Sequence, residues 1–181
     1  AMVHQELNQV LKRNVMDNIW LGRYPTKFGI ISERKMYNDT QKLFKELEIN
    51  VDPKVIMSNL SVAQRQMVEI AKAVSYNARI LVLDEPTSSL TSVEVAHLFK
   101  IIRRLRNEGC GIIYISHKMD EILEISDEVT VMRDGKYVST DAAKDLTMDA
   151  IIKKMVGREL TNVYPPKDNV VGDELMRVEN L

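Results

Sequence analysis

The sequence is poor in cysteine, in net charge and in long apolar runs. Its single cysteine, Cys110, excludes an intrachain disulfide and suits a reducing compartment. With 25 basic against 26 acidic residues, the formal net charge is −1, so electrostatics make no case for nucleic acid or for an anionic membrane surface. No apolar run approaches the roughly 18–20 residues that cross a bilayer, and nothing reads as a signal peptide. Any work at a membrane would need another subunit to span it. There is no short-period repeat and no low-complexity tract, and Ala1 ahead of Met2 reads as the remnant of a cleaved expression tag. What is present is 181 residues, 45% hydrophobic and 28% charged, enough for one ordinary domain with a small appendage.

Periodicity orders the elements. Met36, Thr40, Leu43, Phe44 and Leu47 recur at helical spacing behind Ser32 as N-cap. Residues 61–76 form a second helix with Met67, Ile70, Ala71 and Val74 as its buried stripe. Residues 80–84 and 111–116 read as buried strands. Between them lies a helix over about 92–107, capped by Thr91 and Glu94 and stopped by Gly109. A short helix over 120–126 leads to an alternating hairpin over 128–140, turned at Asp134-Gly135, and a last helix over about 148–156 ends at Gly157. The strand–helix–strand unit predicts a parallel sheet with a right-handed crossover. Residues 161–174, with Pro165-Pro166, read as a linker, and 175–181 as the opening strand of a further unit.

Two stretches carry chemistry. "RILVLDEPTSSL" (79–90) runs an apolar strand into two adjacent acids, Asp84 and Glu85. Neighbouring carboxylates repel, so a cation, or a proton to be moved, normally accompanies them. "LSVAQRQ" (60–66) gives Ser61 and Gln64 capping-box spacing, which explains both without any function. The same helix N-terminus exposes unpaired N–H groups and a positive dipole end to which a phosphate can bind.

Taken in order, "VHQEL" (3–7), "LSVAQRQ", "ILVLDE", "SSLT" (88–91) and "YISH" ending at His117 resemble the nucleotide-binding domains of ATP-binding cassette (ABC) transporters over residues 3 to about 160. The resemblance implies an α/β fold, a partial P-loop NTPase with a parallel core sheet, a helical subdomain and a C-terminal β-hairpin. It implies the cofactors ATP and Mg2+. Asp84 and Gln5 would serve the metal, Glu85 would be the general base, and His117 would contact the γ-phosphate; Ser61 and Gln64, with Gln5, would be cofactor-binding. The domains it implies are 1–9 (core with Gln5), 10–76 (helical subdomain), 77–160 (core with Asp84 to His117), 161–174 (linker) and 175–181 (first strand of a second cassette). Val62 and Ala63 stand where glycines are commoner, and Thr91 where aspartate is. With 14–25 and 155–160, these departures are similar to the monosaccharide importers, the galactose/methyl-galactoside group most of all.

That branch implies membrane-spanning permease subunits as partners, a second cassette in the same full-length chain, an indirect periplasmic or extracellular sugar-binding protein, no nucleic acid, and a place on the cytoplasmic face of the cell membrane. Other sugar or nucleoside importers, a soluble ABC protein of ribosomes or DNA repair, and a non-catalytic remnant are the alternatives. None of the seven glycines begins a Gly-x-x-x-x-Gly-Lys-Ser/Thr loop. The chain is therefore expected to be part of a first cassette, inactive alone, with the edge of 112–116 left without a neighbour and open to self-association.

Overall fold

In the computed structural model, which describes residues 1–157 and 176–179, the chain starts with the two-residue strand β1 (Met2–Val3). Helix α1 (Val15–Ile19) follows, then a small antiparallel pair, β2 (Thr26–Lys27) and β3 (Ile30–Ile31), and helices α2 (Glu33–Glu46) and α3 (Val62–Val74). Strand β4 (Ile80–Asp84), helix α4 (Ser92–Asn107), strand β5 (Gly111–Ile115) and helix α5 (Met119–Ile125) form the middle of the chain. The hairpin β6 (Glu128–Arg133)–β7 (Lys136–Ala142) and helix α6 (Met148–Val156) complete it.

The helix ends fall where the capping chemistry puts them. The Ser32 side chain accepts from the Lys35 N–H, and Ser61 with Gln64 and Thr91 with Glu94 both close complete capping boxes. Gly157 ends α6 at φ 77°, and Asp134 (φ 51°) with Gly135 (φ 72°) turns the β6–β7 hairpin.

The core sheet is parallel, in the order β1–β4–β5. Leu81 and Leu83 on β4 pack with Val68, Ile70, Leu98, Phe99 and Ile102 from α3 and α4 in the larger core, which also takes Val15 and Ile19 of α1 and Phe44 of α2. A second core joins Val129 and Val131 of β6 to Ile151 of α6, with Met119, Ile122 and Leu123 of α5 against it. The hairpin forms its own two-stranded sheet rather than extending the parallel one.

Two expectations change. Strand β5 is not buried: Ile113 and Ile115 are 51% and 46% exposed, and its outer edge has no strand partner among the described residues. That edge borders a groove of about 610 Å³ shared by Ile102, Ile112, Tyr114, Ile125 and Thr130. Ile80 at the start of β4 is likewise exposed, so only the middle of that strand is core. Residues 176–179, part of the expected opening strand 175–181, have no strand pairing among the described residues, and a strand forms only through a ladder with a neighbour. The expected linker, 161–174, lies outside the described residues.

Candidate functional site

Asp84 and Glu85 leave the sheet at the C-terminal end of β4, where open parallel sheets place their ligands. Asp84 pairs in register with Ile115, and the Glu85 N–H donates to the Ile115 carbonyl (2.9 Å). Glu85 takes φ 45°, a left-handed conformation that costs a residue with a Cβ roughly 1–2 kcal/mol. Such strain persists where the surroundings over-determine the backbone, and it gathers at functional sites.

The Glu85 carboxylate joins two other segments. Its Oε2 accepts from Gln5 Nε2 (3.2 Å), and its Oε1 lies 2.8 Å from His117 Nδ1. Gln5 follows β1 and His117 follows β5, so the parallel sheet itself brings the three side chains together from the ends of its three strands. The His117 ring is largely exposed and Glu85 mostly sheltered. His117 does not cap the next helix; Lys118 takes that position, without a side-chain cap bond.

Ser61 and Gln64 stand apart from this trio and bond to each other: Ser61 Oγ accepts from the Gln64 N–H (3.2 Å), and Gln64 Oε1 from the Ser61 N–H (3.0 Å). Their helix is nonetheless tied to the Gln5 segment. Gln9 Nε2 donates to the Arg65 carbonyl (2.8 Å) and to Glu69 Oε2 (3.1 Å) on α3. Sequence reasoning missed Gln9, and a polar residue in a loop gives no periodicity by which to find it.

The residues fit a divalent cation beside a polyphosphate. The half-buried Asp84 carboxylate has no hydrogen-bond or ion-pair partner among the described residues, an arrangement that invites a cation. Gln5 spends its N–H on Glu85 and keeps its amide oxygen, a hard donor, for another partner. Among the described residues no three His, Cys, Asp or Glu side chains gather into a metal cage. Mg2+ needs none, since it takes one or two carboxylates and completes its shell with water and substrate phosphates.

Sequence reasoning also missed a group beside the trio, in which the buried Thr87 and Glu121 meet the half-buried Tyr114 and Lys118. A signal for it exists, because Glu121 lies four residues before Ile125, on the same face of a short helix, which turns it inward. Burial, and the hydrogen bond to Glu121, push the Tyr114 hydroxyl far above its ordinary value of 10.0.

Residues 1–88 match the family described as ABC transporter. The dimeric ATP-binding cassette MJ0796, in a post-hydrolysis state bound to ADP and Pi, superposes with a TM-score of 0.69 at 20% identity, over 78% of this chain and 62% of that one. A metal-chelate type ABC transporter in an inward-facing conformation gives a TM-score of 0.71 at 18% identity, over 86% of this chain and 63% of its own. The class to which sequence and fold are similar is that of the ABC transporter ATP-binding domains. Within it, the whole chain is 66% identical to the galactose/methyl galactoside import ATP-binding protein MglA of Clostridium perfringens (strain ATCC 13124), and covers 35% of that protein. It is 60% identical to the protein of the same description from Pasteurella multocida (strain Pm70), covering 36% of it. The chain thus spans about a third of the length of these curated relatives.

Proposed function

We propose that the chain serves as part of the ATP-hydrolysing subunit of an importer for a monosaccharide of the galactose/methyl galactoside type. The observation that carries this reading is the 66% identity over every residue to a protein named for that import. The geometry of Gln5, Glu85 and His117 supplies its chemistry. Glu85 accepts the proton of the attacking water, contributing the roughly 10²–10⁴-fold typical of a positioned general base. His117, bonded to that carboxylate, orients it and faces the γ-phosphate. Ser61 and Gln64 offer the N-terminus of α3 to the phosphate of a nucleotide held by an opposing cassette. Asp84 and Gln5 would hold Mg2+, which when bound would offset the charge of the phosphates.

We assign residues 1–9 and 77–160 to the ATPase core and 10–76 to the helical part, with permease subunits and a second cassette as partners at the cytoplasmic face of the membrane. No helix among the described residues is long and apolar enough to cross a membrane. Turnover needs a phosphate-binding loop, and the 181 residues contain no Gly-x-x-x-x-Gly-Lys-Ser/Thr, so the chain alone hydrolyses ATP at the rate of buffer. The test is uptake of labelled galactose by proteoliposomes holding the complete importer built with this chain. Uptake should require internal ATP and vanish with Glu85→Gln. Unchanged uptake in that variant, or a preference for ribose or a nucleoside over galactose, contradicts the reading.

A further inference from the structure

Behind the Glu85–His117 pair, a buried carboxylate draws three donors together. Glu121 is 6% exposed; its Oε2 accepts from Thr87 Oγ1 (2.7 Å) and from Tyr114 OH (2.8 Å), and its Oε1 pairs with Lys118 Nζ (3.1 Å). Lys118 Nζ also donates to the Thr87 carbonyl (3.2 Å) and to its Oγ1 (3.3 Å). The four side chains come from three segments: the loop after β4, the end of β5, and the start of α5. Thr87 lies two residues beyond Glu85, and Lys118 directly follows His117. The cluster therefore ties the backbone that carries one member of the pair to the backbone that carries the other.

We propose that Glu121 is a positioning residue for Glu85 and His117, holding the two loops in the one spacing at which those side chains meet. The catalytic meaning of this rests on the function proposed above; the geometric claim does not. Glu85 sits at φ 45°, and its neighbours hold it there. Its own N–H is bonded to Ile115, its carbonyl accepts from the Ser88 N–H (3.3 Å), Pro86 is buried, and Thr87, only 1% exposed, is anchored on Glu121. His117 is largely exposed and bonded to Glu85, so its place depends on Glu85 and on the start of α5. The cluster needs a carboxylate. Two hydroxyls and an ammonium all point donors at Glu121, and only a group that accepts at both ends and donates nothing satisfies them. An amide of the same size must turn its own N–H toward one of them.

The experiment uses the purified 181-residue chain, isotope-labelled, with the His117 ring signals identified through His117→Gln and the effect of losing the Glu85 bond calibrated with Glu85→Gln. Glu121→Gln and Thr87→Val should each move the His117 ring signals in the direction that Glu85→Gln moves them. They should also speed amide exchange at Ser88 and Leu90 by roughly tenfold or more, as local opening of that loop requires. Thr87→Ser, which keeps the hydroxyl, should leave both readouts as in the parent chain. Val131→Ala, in the second core, should lower the unfolding midpoint without moving the His117 signals. If Glu121→Gln does not fold, Thr87→Val and Thr87→Ser decide. Folded Glu121→Gln or Thr87→Val with parental His117 signals and parental exchange overturns the proposal, and so does a Val131→Ala chain that moves those signals equally. ATP turnover plays no part in these readouts, so failure of the ATPase reading would leave them standing and is told apart from failure of this one.

Discussion

Thr40 shows how much of this chain depends on single polar contacts placed inside apolar surroundings. It is fully buried in α2, donates to the Met36 carbonyl (2.8 Å), and accepts from Nε1 of Trp20, the sole tryptophan (2.9 Å). Thr40→Val keeps the shape but leaves the indole N–H without its partner, and should lower stability by about 1–3 kcal/mol. Denaturant unfolding measures this, and a shift in Trp20 emission should accompany it. At this scale the sequence was legible where chemistry forces unusual neighbours. Asp84 beside Glu85 raises the question of a cation or a moving proton, though a strand ending in a solvated turn gives the same pair, and Gln5 and His117 were expected with them from the resemblance. Glu121 escaped because one of three acids on a short helix, between Asp120 and Glu124, looks solvated until the packing of Ile125 turns its face inward. Gln9 escaped because its two partners lie 56 and 60 residues away.

Among the elements, those with their own start and stop signals were read almost to the residue: α2, α3, α4 and α6, and the hairpin turned at Asp134-Gly135. Thr91→Ala removes the box that starts α4 and should cost about 1 kcal/mol, read as a lower denaturant midpoint with an unchanged slope. The β2–β3 pair was not foreseen. Its two-residue strands are too short to alternate, and its turn, Phe28 (φ 54°)–Gly29 (φ 78°), puts a bulky residue where Asn or Asp usually signals such a bend. Helix α1 is similarly below the length at which periodicity shows. Strand β5 carries a pH dependence through Tyr114. Its hydroxyl titrates higher in the folded chain than the 10.0 of an unfolded one, so its contribution to stability is complete below pH 10 and declines as the pH rises beyond it. An alkaline limb should therefore appear in stability measured against pH, and Tyr114→Phe should flatten it.

For the molecule as a whole, the parallel sheet was inferred from the strand–helix–strand order, but the place of β1 was not, because two residues carry no pattern. Register fixes it: Met2 beside Val82 and Val3 beside Leu83 bring Gln5 to the end of the sheet where Glu85 emerges. The same sheet presents β5 as a half-exposed apolar edge beside the groove toward β6. Such edges recruit strands from other chains, so the purified chain should sediment as a dimer. Ile113→Lys should return it to a monomer, whereas a wild-type chain monomeric at all concentrations would rule that association out. The central proposal is that Glu85, met by Gln5 and His117, is the hydrolytic end of an ATP site. The direct measurement is Mg-ATP turnover by this chain joined at its N-terminus to about 60 residues carrying a strand and a Gly-x-x-x-x-Gly-Lys-Ser/Thr loop, roughly one strand-and-crossover unit. We expect turnover in the joined protein, background rates in the chain alone, and a return to background when Glu85→Gln is introduced. Turnover that survives Glu85→Gln would contradict the assignment.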